Sequence, residues 1–220
     1  MTRILPWALL WAAGAACAQA NPDPALKKLL SLVERRYNSA RTIQVEFEQS
    51  VTAPGRPRRT ERGSLALRKP GRMRWDYSSP QGKLFLSDGK HLYFYSPATN
   101  RAEKSKLKES EDLRAPLAFL LGKLDFDRDF RNYQTRMDHA LTVISAEPKN
   151  NRLPYRAVEF TVSAAGEIQK LAVTGQDNSI SEFRFDAERV NGAVNDALFK
   201  FQLPPGARLV ETAATGEEQQ

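Results

Sequence analysis

One cysteine (Cys17), two histidines and three methionines are all that this chain of 220 residues contains of these types. A lone thiol forms no internal disulfide, no thiolate zinc cage and no C-x-x-C redox pair. His91 stands beside a tight turn and His139 in a polar stretch, and neither has a metal ligand or a nucleophile at a suggestive spacing. A Gly-rich phosphate loop and an H-E-x-x-H motif are both missing. Ser87-Asp88-Gly89-Lys90 fits the S-x-x-K pattern of serine acyltransferases, but Asp-Gly dictates a hairpin turn that sends the two side chains apart. Ser105-Lys106-Leu107-Lys108 fits the pattern equally well in a lysine-rich stretch. Asp125, Asp127 and Asp129 start like a calcium loop, yet Phe130 occupies the place of its glycine and Arg136 that of its bidentate glutamate. The expectation is a protein that is not an enzyme, with no catalytic residue, no metal and no cofactor. A secreted hydrolase stays only as an alternative built from dispersed carboxylates.

Long apolar runs are scarce too. The first twenty residues, MTRILPWALLWAAGAACAQA, set Arg3 before an apolar stretch and end on Ala18-Gln19-Ala20, small residues of the kind a signal peptidase reads. That stretch is shorter than the about 20 apolar residues a spanning helix needs, and no later segment approaches this length. Residues 1–20 therefore read as a signal peptide, with a soluble, exported mature chain starting at Asn21. Cys17 offers lipidation as the alternative, although Gly14-Ala15-Ala16 before it lacks the usual Leu three positions upstream. Cleavage after Ala20 leaves a mature chain without a thiol.

Positive charge is what the chain has in surplus: 33 Lys and Arg against 26 Asp and Glu, a formal net charge of +7. The sign favours contact with acidic surfaces without naming them. Asp23-Pro24 is a cap and first-turn pair, and Leu26, Leu29, Leu30, Val33 and Tyr37 then recur at helical spacing, which predicts an amphipathic helix ending near Asn38. From Ile43 the period changes to two. Half-buried strands are predicted from there and around 64–69, 72–77, 83–87, 91–95, 141–146, 156–162, 168–174, 181–185 and 199–203. Pro70-Gly71, Pro80-Gln81-Gly82 and Asp88-Gly89 mark turns, so a meander of antiparallel hairpins is the simplest topology. Alternation stops between Arg101 and Tyr133, where KSKLKESEDL is charged and PLAFLLGKLDF suggests a short helix through Leu117, Leu120, Leu121 and Leu124. Residues 212–220 read as a flexible tail, leaving 21–211 as a single domain.

The stretch LRKPGRMRWDY, residues 67–77, packs four cations and two aromatics into eleven positions. As a strand it puts Arg72, Arg74 and Asp76 on one face and Met73, Trp75 and Tyr77 on the other. A platform for single-stranded nucleic acid needs rings and cations on the same surface, so a solvated basic face over a buried apolar face is the reading preferred here, with no nucleic-acid partner. The apolar face then has little to cover it. About ten strands are accompanied by only two short helical segments, and the sheet either closes into a filled barrel or stays open over a cavity; the pattern alone leaves both open.

Gly63 to Pro97, GSLALRKPGRMRWDYSSPQGKLFLSDGKHLYFYSP, resembles the outer-membrane lipoprotein carrier proteins, the LolA family. The resemblance rests on a G-x-L strand, a basic-Pro turn followed by R-x-W, a further Pro, and an S-D-G-K hairpin leading into an aromatic-rich strand. The leader, the first helix running into VEFEQ, the central PLAFLLG and the closing FKFQLPPGARLV extend it over nearly all of the mature chain. It implies an α+β fold: an open, incomplete antiparallel β-barrel with a helical lid over an apolar cavity. It implies a monomeric periplasmic carrier that binds the acyl chains of triacylated lipoproteins, loaded by an inner-membrane ABC transporter and unloaded at an outer-membrane receptor. An anchored receptor of the same fold is the alternative, with Cys17 as the discriminating residue.

Mapped onto this chain, the resemblance makes Leu65, Leu67, Met73, Trp75, Leu84, Leu86, Leu117, Leu120 and Leu121 the candidate cavity and lid residues, with the basic outer face as a docking surface. The family's best-known members have Arg before the Pro of the turn, holding the lid through backbone carbonyls. Here that position is Lys69, a point charge with three donors in place of a planar fork. Met73 likewise replaces a frequent aromatic.

Overall fold

In the computed structural model, which describes residues 23–107, 124–150 and 153–211, the period-two stretches pair into one sheet of twelve strands. The strands are β1 (Thr42–Thr52), β2 (Arg59–Arg68), β3 (Arg72–Ser79), β4 (Gln81–Asp88), β5 (His91–Ser96), β6 (Arg101–Lys106), β7 (Phe130–Asp138), β8 (Leu141–Pro148), β9 (Tyr155–Val162), β10 (Ile168–Gly175), β11 (Ile180–Val190) and β12 (Arg208–Glu211). They lie in the order β12-β6-β5-β4-β3-β2-β1-β11-β10-β9-β8-β7. Two hairpin meanders thus meet where β1 pairs with β11. Only β12 runs parallel to its neighbour. The edges β7 and β12 do not pair with each other, so the sheet is an open antiparallel half-barrel.

The predicted turns fall where Pro and Gly placed them. Gly71 and Gly89 adopt φ of +71° and +95°, and a Cβ on Gly71 would lie 3.3 Å from the Gly89 Cα, so the two turns touch. Ser87 fastens them: fully buried, it donates to the Gly71 carbonyl at 2.5 Å and accepts from the Gly89 amide at 3.3 Å. The S-x-x-K match is therefore a turn clasp. At Gly63 a Cβ would stand 2.0 Å from the Asp76 carbonyl oxygen. The bare position also lets its cross-strand neighbours Phe47 and Tyr77 meet edge to face at 5.1 Å.

Three strands were not visible as alternation. β6 and the start of β7 fall in the stretch where alternation stops, and the rest of β7 was not expected as a strand either, because β6 buries only Ala102 and the side chains of β7 beyond Phe130 point mostly to solvent. Expected strand 199–203 is instead the end of a 3-10 turn, Asp196–Phe199, and an unpaired run; the closing strand is β12. The first helix, α1, is as predicted. It spans Pro24–Ser39, Asp23 caps it by accepting from the Ala25 amide at 3.2 Å, and Leu26, Leu30, Val33 and Tyr37 are buried. A second helical turn, α2 (Phe126–Asp129), is capped by Asp125, which is the work the calcium-like acidic run does here.

Candidate functional site

Register decides which side chains share a face, because directly opposed residues in an antiparallel pair point the same way. Val45, Leu65, Trp75, Phe85 and Phe94 form one row across β1 to β5, and Ile43, Leu67, Met73, Ser87 and Leu92 the next. These rows and α1 belong to one buried cluster, with Leu65, Leu67, Met73 and Trp75 each at most 4% exposed. Trp75 meets Phe47 edge-on at 4.6 Å and Phe183 at 6.0 Å, joining the two meanders through aromatic rings. The inner face therefore brings four of the candidate residues together.

Leu84 and Leu86 are not among them. They pair with Asp76 and Arg74, which places them on the outer face, and the inner positions on β4 are Phe85 and Ser87. The run Leu84-Phe85-Leu86 is apolar on both sides, so alternation carried no signal there; the pairing of Trp75 with its opposite residue would have revealed it. Leu117, Leu120 and Leu121 lie outside the described residues.

The outer face of β2 to β5 is covered by the chain itself. Arg68 donates to the Val194 carbonyl at 3.3 Å and pairs with Asp196, Arg72 binds Asp196 at 2.7 Å, and Arg74 reaches the Leu198 carbonyl at 3.0 Å while holding Asp76. Beneath this strap Leu86 is wholly buried, Phe199 is 3% exposed, and Tyr93 stacks on Phe201 at 4.5 Å. The expectation of a free basic docking face fails at Arg68, Arg72 and Arg74, whose charges anchor residues 194–201.

On the inner side the end of α1 is tied by polar bonds from several directions. Lys69 donates from Nζ to the Tyr37 carbonyl at 2.5 Å, in the last turn of the helix, where a cation also complements the helix dipole. Burial pulls the Lys69 pKa below its ordinary value. Glu188, 5% exposed, accepts from Arg36 at 2.6 and 2.9 Å and from the Tyr37 hydroxyl at 2.7 Å. That hydroxyl in turn accepts from the buried Ile168 amide at 2.9 Å. Burial, followed by the Glu188 carboxylate, pushes the Tyr37 phenol far above its usual range. Asn38 exchanges two hydrogen bonds with the Leu124 backbone, and Glu34 accepts from the Phe126 amide. Lys69 was anticipated as a latch on a backbone carbonyl; the Glu188 cluster was not, since nothing in ISEFRFDAERV sets that carboxylate apart from its neighbours.

Between α1 and the sheet there remains an apolar cavity of about 20 Å³, lined by Tyr37, Val45, Leu65, Leu67, Phe185 and the Glu188 side chain. That is room for about one water-sized sphere.

The family model described as outer membrane lipoprotein carrier protein LolA matches residues 38–202. The outer-membrane lipoprotein carrier protein of Chromobacterium violaceum is 29% identical over 202 residues, covering 89% of this chain and 94% of its own. Its counterpart in Proteus mirabilis is 27% identical over 175 residues, with 79% and 84% covered. Among solved structures, an uncharacterized conserved protein from Thermus thermophilus superposes with a TM-score of 0.52 at 11% identity over 86% of this chain and 99% of that one. MucB gives 0.51 at 12% identity, over 86% of this chain and 66% of its own. Those two likenesses concern the fold alone.

Proposed function

The chain belongs to the LolA family of outer membrane lipoprotein carrier proteins, and from that premise we propose that it is a periplasmic carrier which shelters the acyl chains of lipoproteins between the inner and outer membranes. The observation that carries this reading is an inner face of Leu65, Leu67, Met73, Trp75 and Phe85 that shares one buried apolar cluster with the amphipathic helix α1, with a cavity of about 20 Å³ between Tyr37 on the helix and Leu65 and Leu67 on the sheet. An acyl chain enters only by displacing α1, and its burial then replaces that of the helix. Exposing Leu26, Leu30 and Val33 costs about 1.5–3 kcal/mol each, and an acyl chain returns about 0.8 kcal/mol per buried methylene. Roughly six to eleven methylenes offset that loss of apolar burial, before the polar latches of α1 are counted. A triacylated lipoprotein offers more than that, so the opened carrier holds its cargo against water, while drawing the chains out of a bilayer, where they are already buried, requires an energy source.

The partners that go with this role are triacylated lipoproteins, an inner-membrane releasing ABC transporter that supplies the energy for loading, and an outer-membrane receptor. Lys69 serves as one latch of α1, and Arg36, Tyr37 and Glu188 as the second. The test is to purify the protein from the periplasm and identify lipoprotein bound to it by mass spectrometry. Trp75→Glu, which puts a charge on the inner wall, is expected to abolish co-purification. Equal recovery of lipoprotein with parent and variant contradicts the reading.

A further inference from the structure

Five cations converge at the end of the sheet where β1 begins and β2 ends. Arg41, Arg68 and Lys69 line an open basin of about 690 Å³ together with Ser39, Thr42 and Gly192. A second basin of about 440 Å³ is lined by Arg68, Lys69, Arg72 and Lys90 with Asp88 and Asp196. The two share Arg68 and Lys69 and so form one recess. Its two carboxylates are already engaged: Asp196 pairs with both Arg68 and Arg72, and Asp88 accepts from the Lys90 and His91 amides at 2.7 Å each. The side chains of Arg41 and Lys90 form no hydrogen bond or ion pair among the described residues, and both are exposed. Cationic charge thus exceeds anionic charge in a concave site, where fields are focused.

We propose that this recess binds a phosphate group, with Arg41 and Lys90, each lining one of the two basins, and Lys69, which lines both, as the donors. The arrangement of donors favours phosphate over carboxylate. A planar carboxylate is satisfied by one guanidinium fork, whereas here donors come from three separate segments around a hollow, which suits a tetrahedral anion. The site is distinct from the inner apolar face, but Lys69 joins the two. A phosphate drawing on the Lys69 ammonium competes with the Tyr37 carbonyl, so occupancy weakens one of the bonds that seat α1. A phosphate-bearing surface would then loosen the helix at the place where cargo changes hands.

The experiment titrates the purified protein with inorganic phosphate and with glycerol 3-phosphate by calorimetry in a phosphate-free buffer. Flotation with vesicles of phosphatidylglycerol in phosphatidylcholine, against phosphatidylcholine alone, runs in parallel. Parent protein is expected to bind, with affinity falling as salt rises. Arg41→Glu and Lys90→Glu are each expected to weaken binding at least tenfold while keeping the parent circular dichroism spectrum. Arg136→Glu, the same charge change on edge strand β7, is expected to bind as the parent does. Binding of the soluble esters and the vesicles alike makes the ligand any phosphate ester, and binding of the vesicles only makes it a lipid headgroup; both support the site. Binding that is absent, that is unchanged in both Arg41→Glu and Lys90→Glu, or that is surpassed by a glutamate-rich peptide overturns it. Because no lipoprotein enters the assay, its failure leaves the carrier reading standing.

Discussion

Lys69 is one ammonium, but it bonds a helix-end carbonyl, and a hydrogen bond to a charged group contributes roughly 1.5–3 kcal/mol when well made. That is enough to move a two-state helix by about 10- to 100-fold. Lys69→Leu is therefore expected to raise binding of an environment-sensitive apolar dye to the empty protein, and Lys69→Arg to keep it at the parent level. Dye binding identical in Lys69→Leu and the parent means that apolar packing alone seats α1. Tyr37 has a different signature. A phenol titrates ordinarily at 10.0, and the closed protein holds Tyr37 above that value through burial and Glu188. Its contribution is fully present below pH 10 and is lost as pH rises beyond it, since only the opened state ionises readily. Tyr37→Phe leaves Glu188 and the Ile168 amide each short of a partner, a loss of about 1–3 kcal/mol at neutral pH. The same change is expected to make the alkaline fall in stability shallower. It does not abolish that fall, because burial also raises Tyr133, and Tyr155 to about 12. Denaturant unfolding at pH 7 and above pH 10 checks both signs. Among single residues, the inward face of Trp75 was legible from the alternation of its strand, and Lys69 only through the family resemblance that its turn carries. Glu188 was not, because a buried carboxylate and an exposed one look alike until the helix that covers it is in place.

Elements with one apolar and one polar face announced themselves, and those without did not. α1 follows from Asp23, Pro24 and five apolar residues at helical spacing, four of which are buried, and β1 and β3 from strict alternation. β4 defeated alternation because residues 194–201 bury its outer face as the sheet buries its inner one, so Leu84, Phe85 and Leu86 are apolar together. β6, β7 and β12 are at or next to the open edges, where short strands and charged side chains discourage pairing with other chains and erase the apolar period. The strap itself yields a contrast. Phe199→Ala, at a site 3% exposed, is expected to cost about 3–5 kcal/mol in stability. Leu203→Ala, at a site 44% exposed, is expected to stay within about 0.5 kcal/mol. Chemical denaturation of both variants measures the difference; equal losses mean that the strap is not packed as one layer.

At the scale of the molecule the sequence showed a sheet with too much apolar face for its helices, and left a filled barrel and an open one undecided. The resolution lies in long-range pairing: β1 meets β11 and joins the two meanders, the edge strands β7 and β12 stay unpaired with each other, and α1 packs into the apolar cluster on the inner face of the open sheet. Function on this account is an exchange of occupants, helix for acyl chain, on one face of that sheet. Adjacent residues on β4 separate this claim from its rivals, since Phe85 faces inward and Leu86 outward although both are buried. A photoreactive amino acid placed at position 85 or at position 86, followed by irradiation of the protein loaded with lipoprotein, reads directly which face holds the lipid. Crosslinking to the acyl chains from position 85 and not from position 86 is the predicted result; crosslinking from position 86, or equally from both, contradicts it.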